Sequence, residues 1–444
     1  MKMNLRSNRA LRFLTSLFFV LLLMAGPGCS GLLDVENPNN VLEADLSDPA
    51  AANAITNGAL STTTRGIGYV LAPYTTATDE GGWIGSRDAW NNLDRGTIGD
   101  HNNEFVDVAW PFITEARYTT DKAIERLKVF DDAGTLKDRK NLAKAYLYAA
   151  LARVTIGDMF DNFVYSDKRE PGPAIGEANM SKVYDEAIAY LDAALVIAKI
   201  GTAGTAAELL ELQRRILGLR ARAKHGKAVW QITNPRPVAQ PLANPYVNAG
   251  VDDATAALAV PMVANYRWQL SFSAATTLNE WSFEVNSRRE LSVAAAPKDF
   301  VETTKDDPRI VAEIADFKNN TKYGGDRYSP FTVVSEREMQ LIIAEGHLAT
   351  GNNQAAADVL NAVRTRDALA ALTDITQAGA LLQHERRANL FMMGRRLLDM
   401  YRFNIKAANW VSGSEQTNAI FNPGTLFPIT IQERRANPLV AGGG

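Results

Sequence analysis

The stretch from Ser335 to Phe403 constrains this chain more than any other. Ser-Glu-Arg-Glu-Met-Gln-Leu-Ile-Ile-Ala-Glu-Gly-His-Leu reads as a helix, closed by Thr350-Gly351-Asn352-Asn353. A second helical pattern follows, with Ala356, Val359, Leu360 and Val363 spaced to share one face. Glycine just past a helix end permits a left-handed cap, so the chain turns back within a few residues. Two short helices joined so tightly form an αα-hairpin, the unit of helical repeat proteins. A third pattern, Leu381 to about Phe403, carries Leu390, Met393, Leu397 and Met400 on one stripe. Its charged residues, Glu385, Arg386, Arg396, Asp399 and Arg402, read as an ion-paired face tying that helix to the body.

Helical periodicity recurs upstream, over Asp107–Leu127, Leu142–Ile156, a stripe of Tyr184, Ile188, Leu191 and Leu195 after Ser181, and Glu208–Trp230. Leu42 to Leu60 reads as a first helix, with a start favoured at Asp48-Pro49. Two regions break the pattern. Residues 61–103 are punctuated by Gly66, Gly68, Gly81, Gly82, Gly85, Gly96 and Gly99 and read as a long loop region. Residues 231–334 open with Pro235, Pro237, Pro241 and Pro245 and read as a loop-rich insertion with short strands or helices. The expected fold is mainly α: a tetratricopeptide-like helical superhelix packed against a loop-rich region with few short strands, without a strict repeat period.

The N-terminus reads as an export signal. Lys2, Arg6, Arg9 and Arg12 precede an apolar segment, Phe13–Ala25, too short to cross a bilayer comfortably. The only cysteine, Cys29, follows Ala25-Gly26-Pro27-Gly28. Residues 1–28 are expected to be a signal peptide, Cys29 the lipid-bearing residue, 29–41 a tether and 42–444 the body. Within that body the repeats fall at about 104–230 and 335–403, and the loop-rich regions at about 61–103 and 231–334. A formal net charge of -3 offers no electrostatic case for nucleic acid.

The wording of the last helices resembles the SusD/RagB family of nutrient-binding outer-membrane lipoproteins. Glu385, Arg386, Arg387, Leu390, Phe391, Gly394, Arg396, Asp399 and Arg402 fit that family's C-terminal signature, while Asn389 and Met393 replace two expected acids. The hairpin is similar through Glu338, Met339, Leu341, Ile342, Ala344, Glu345, Leu360, Asn361, Val363 and Arg364. Leu426-Phe427-Pro428-Ile429, Glu433 and Asn437-Pro438 look like its closing segment. The resemblance implies a surface lipoprotein anchored in the outer membrane through Cys29. Its partner would be a SusC-like TonB-dependent outer-membrane transporter and its ligand an oligosaccharide or other oligomeric nutrient.

Chemistry is harder to find than binding. No HExxH, G-x-S-x-G or phosphate-loop motif occurs, and His347 and His384 read as surface or capping residues. Asp79-Glu80 and Asp252-Asp253 read as solvated loop acids, with a glycosidase pair as the sharper alternative. Sugar faces stack on flat aromatic rings while Asn, Asp and Arg bond the hydroxyls, and ligand sites favour loops. Tyr74, Asp79, Trp83, Arg87, Trp90 and Asn91 supply that mixture, with Trp268, Trp281 and Tyr323 as a facing wall. In the family the site is built mainly from loops outside the repeats, which favours these segments. No metal and no cofactor is called for. Three readings follow: a nutrient-binding lipoprotein, an exported scaffold for proteins or peptides, and, behind both, a secreted glycoside hydrolase.

Overall fold

The computed structural model describes residues 45–167, 170–199, 205–261, 263–411 and 417–440. The signal segment, Cys29 and the tether lie outside these residues. The body begins at Asp48, whose side chain accepts a hydrogen bond from the Ala50 N–H and caps the first turn at Pro49.

Helix α1, Ala52–Thr76, runs through the region expected to be a loop. Its glycines are sites of close approach. A methyl group on Gly66 would sit 2.8 Å from the Phe112 carbonyl oxygen, and one on Gly68 would sit 2.8 Å from the Phe272 ring. Its threonines are absorbed too: the hydroxyls of Thr56, Thr63 and Thr76 donate to carbonyls one turn back at 2.8–2.9 Å. Tertiary packing overrides the weak local preference here.

After α1 come strand β1 (Gly81–Trp83) and helix α2 (Asp88–Asp94). The first helical block follows: α3 (Glu104–Asp132), α4 (Lys140–Met159), α5 (Ser181–Lys199) and α6 (Ala206–Ile232). Each packs on its sequence neighbour, and α1 packs most extensively on α3, so the block is a stack of helices in which neighbours in sequence share a core. Asn103 caps α3, and Thr205 with Glu208 forms a capping box for α6. Gly157 lies inside α4, where a methyl group would meet the Tyr184 ring at 2.6 Å.

Helix α7 (Val251–Ala259) leads into strand β2 (Arg267–Leu270), a helical turn at Glu280–Ser282 that passes into a π-turn, and strand β3 (Leu291–Val293). Helix α8 (Pro308–Phe317) and strand β4 (Phe331–Ser335) complete the insertion. Two small antiparallel sheets result. Strand β1 pairs with β3, placing Trp83 opposite Leu291, and β2 pairs with β4.

The hairpin forms as its sequence dictates: α9 is Glu336–Ala349, α10 is Asn353–Thr365, and Gly351 adopts φ +77° between them. The third pattern is broken, however. Helix α11 (Ala378–Asn389) stops, Met392 and Gly394 take positive φ, and α12 (Arg396–Arg402) starts afresh; α13 (Ile431–Ala436) closes the chain. The break lets Leu390 and Met393 face the core formed by Leu341, Leu360, Leu381 and Leu382.

The ion-paired face is buried. Glu345, wholly inside, accepts hydrogen bonds from Arg402, from the Val247 N–H and from the His225 ring. Asp399 accepts from Arg386 and Arg402 at 2.8 and 2.9 Å. Breaking one member of so enclosed a set leaves a stranded charge, which is what makes such networks rigid.

Candidate functional site

A cleft of about 550 Å³ opens where five segments converge. The turn after α1 brings Thr78, Asp79 and Gly81; Ala294 follows β3; α11 brings Gln383, His384 and Arg387. The start of α12 brings Arg396, and the segment after α12 brings Ile405 to Asn409. The pairing of β1 with β3 places Gly81 and Ala294 side by side, and Ala294 donates its N–H to the Glu80 carbonyl at 2.9 Å.

The electrostatics divide between two adjacent acids. Burial raises the Asp79 carboxyl, but two hydrogen bonds from Arg396 and the charges of Arg396 and Arg387 outweigh it and hold the group below the usual range. Glu80 is enclosed, and desolvation pushes it up to about 8 despite Arg396. The neutral form is therefore the one present at pH 7, leaving Asp79 as the carboxylate among the residues lining the cleft. Arg387 lies 3.4 Å from Asp79 and donates no hydrogen bond to the described residues, among which its buried Nε has no partner. Desolvation, with the Arg396 charge beside it, lowers the Arg387 pKa. On the opposite wall, Asn409 donates to Asp94 at 3.0 and 3.2 Å, and Asp94 in turn accepts the Trp83 N–H.

The structure scatters the residues expected to bind. Asp79 lines the cleft, but as the counter-ion of Arg396, so it is no solvated loop acid, and neither is Glu80. Trp83 stands next to the cleft through its strand, half-buried, with its indole N–H enclosed and unpartnered. Arg87 stacks over Phe105 at 4.5 Å and pairs with Glu104. Asn91 is half-buried on α2 away from the cleft lining. Tyr74 is buried, its hydroxyl accepting the Leu397 N–H at 3.1 Å. Trp90 is buried and stacked on Phe105 with ring centroids 3.5 Å apart. Trp268 and Trp281 are also interior, the latter donating to Met392 Sδ. A ring with no exposed face cannot stack on a sugar, so Tyr74, Trp90, Trp268 and Trp281 are core residues in this structure. Trp281 and half-buried Tyr323 share a second, narrow cavity of about 30 Å³. That is the share of liquid volume of about one water molecule.

Sequence reasoning passed over Arg387, Lys406 and Asn409. The first sat inside the family signature and the others in a segment without periodicity. His384, read as surface or capping, instead bonds Asp307 at 2.9 Å beside the cleft. Asp299, Asp307 and His384 bring three possible ligand atoms within 4.8 Å of one another. Arg364 already binds both oxygens of Asp299, and Arg309 both oxygens of Asp307, so the arrangement is an ion-pair lattice.

Fold and site together define a helical scaffold with a large polar cleft at the meeting of its insertion and its last helices. The SusD family model matches residues 273–439, so the resemblance carried by the terminal helices holds. Nearly the whole chain follows solved SusD superfamily folds. A SusD superfamily protein from Bacteroides fragilis superposes with TM-score 0.58 at 16% identity, covering 88% of this chain and 99% of that one. A SusD-like carbohydrate binding protein from Bacteroides vulgatus gives 0.54 at 13%, covering 81% and 84%. A putative sugar binding protein from the same species gives 0.52 at 14%, covering 88% and 97%. Likeness at such identity speaks for the fold. No curated protein matches the sequence.

Proposed function

We propose that this protein captures an oligomeric nutrient, foremost an oligosaccharide, in the cleft between α11 and the segment after α12, and releases it unaltered. The observation that carries this reading is the cleft itself. Its roughly 550 Å³ falls in the range of small-ligand sites, and its walls converge amide, guanidinium and ammonium donors. Two of the structural relatives are described as carbohydrate or sugar binding proteins, which favours the same class of ligand. Capture without hydrolysis is favoured by the acids nearest the cleft: Asp79 is held by Arg396, and Glu80 is enclosed away from it.

In this reading the protein is tethered to the outer membrane by lipid on Cys29 and passes its ligand to a SusC-like TonB-dependent transporter. No helix among the described residues is long and apolar enough to cross a membrane, so attachment would rest on the acylated N-terminus. Calorimetric titration with a saccharide panel tests the capture step. Binding should disappear in Ala408→Trp, which fills the cleft from an exposed position; a panel in which nothing binds would refute the reading. Cys29→Ala should move the protein to the soluble fraction, and the wild type should co-purify with a large β-barrel.

A further inference from the structure

The cleft carries more positive charge than its own residues neutralise. Arg387, Arg396 and Lys406 line it, and among the residues lining it Asp79 is the carboxylate they face. Arg396 uses that carboxylate fully, with hydrogen bonds of 2.6 and 2.8 Å. Arg387 is left with a 3.4 Å contact and no hydrogen bond, although three-quarters of its side chain is removed from solvent and its Nε is enclosed. Lys406 is exposed at the rim and forms no ion pair or hydrogen bond with the described residues. A desolvated guanidinium without an acceptor is an expensive arrangement that an oxyanion relieves, because charge-assisted bidentate bonds are the strong ones. The planar fork of Arg387 suits a carboxylate or a sulfate ester, and Lys406 adds a point charge on the same side.

We infer that the ligand is an acidic saccharide whose carboxylate or sulfate group is seated on Arg387, with Lys406 holding a second acidic group or the approach to the first. This rests on the reading of the cleft as a saccharide site and narrows its substrate class. Neutral sugars would offer the exposed end of the Arg387 guanidinium no charged acceptor, so the site should discriminate against them. Asp79 and Arg396 act as positioning residues: their pairing holds the second guanidinium in place and keeps the Asp79 carboxylate from closing on Arg387.

The test is calorimetry on the purified protein in detergent with four probes: a tetragalacturonate, a sulfated tetrasaccharide, a neutral tetragalactose and tetraglutamate. The inference expects at least one acidic saccharide to bind roughly tenfold or more tightly than the neutral one, with affinity falling as salt rises. Arg387→Gln should remove about tenfold of that preference, and Lys406→Gln, at an exposed position that folding does not need, should remove a smaller part and flatten the salt dependence. Neutral and acidic saccharides binding equally, with both substitutions silent but Ala408→Trp inhibitory, would overturn the acidic preference and leave the saccharide site standing. Tetraglutamate binding as tightly as the acidic saccharides would overturn the saccharide assignment. Failure of every probe would take the cleft reading down along with it.

Discussion

Arg396 donates hydrogen bonds of 2.6 and 2.8 Å to the two oxygens of Asp79, a residue 317 positions earlier in the chain. The pair joins the loop after α1 to the start of α12, and both side chains are mostly buried. Replacing Asp79 by Asn would strand the Arg396 charge. The expected loss is about 3 kcal/mol or somewhat more, the usual cost of breaking a buried pair on one side. Chemical denaturation of Asp79→Asn against wild type measures it; a change under about 0.5 kcal/mol, the range of ordinary surface substitutions, would show that solvent already screens the pair.

Asp79 and Glu80 give opposite signs with pH. The Asp79 carboxyl is lowered, so its stabilisation is present above the unfolded pKa and is lost as pH falls through the folded value. Glu80 is raised from 4.5 to about 8 by burial. Its contribution is therefore fully present below 4.5 and is lost as pH climbs through about 8. Wild type should melt at progressively lower temperature from pH 5 to 9, and Glu80→Gln should flatten much of that slope. Parallel profiles for the two proteins would mean that other groups carry it.

Two glycines of α1 should respond in opposite directions. Gly66→Ala places a methyl 2.8 Å from the Phe112 carbonyl oxygen and should cost about 1–3 kcal/mol through forced separation of α1 and α3. Gly58, on the same helix, has nothing within 4 Å of a methyl, and Gly58→Ala should gain about 0.5–1 kcal/mol from reduced unfolded-state entropy. Melting temperatures of the two variants decide the matter.

Trp90 should behave as core. Stacked on Phe105 and fully enclosed, its replacement by Ala is expected to cost about 3–5 kcal/mol while leaving saccharide affinity in the folded fraction unchanged. A loss of affinity with unaltered melting temperature would instead put that ring against the ligand.

The helical superhelix was legible because apolar spacing in α5, α9 and α10 reports directly on which face is buried. The break at Met392–Gly394 was not, since the apolar spacing of Leu390, Met393, Leu397 and Met400 continues across the turn as it would in one helix. Residues 61–76 misled for a definite reason: glycine marks loops and close helix packing alike, and only the partner helix distinguishes them. Aromatic residues misled in the same way, because a tryptophan in a glycine-rich segment signals either a core plug or an exposed platform. Asp79 lines the cleft as the counter-ion of Arg396, a partner 317 positions away that no local pattern reveals. Arg387 and Lys406 needed the three-dimensional tally of charge, since only juxtaposition with Arg396 and Asp79 shows which cation is left over.

The walls of the cleft come from Thr78, Asp79 and Gly81, from Ala294, from Gln383, His384 and Arg387, from Arg396 and from Ile405 to Asn409, so no short stretch of the chain contains it. A polypeptide halted before Arg396 would lack the walls that Arg396 and Ile405 to Asn409 supply, and one nicked between α11 and Asn409 would hold the walls on separate pieces. Under the proposed reading, saccharide retention on a column would therefore report that residues from Thr78 to Asn409 are held together in one folded molecule.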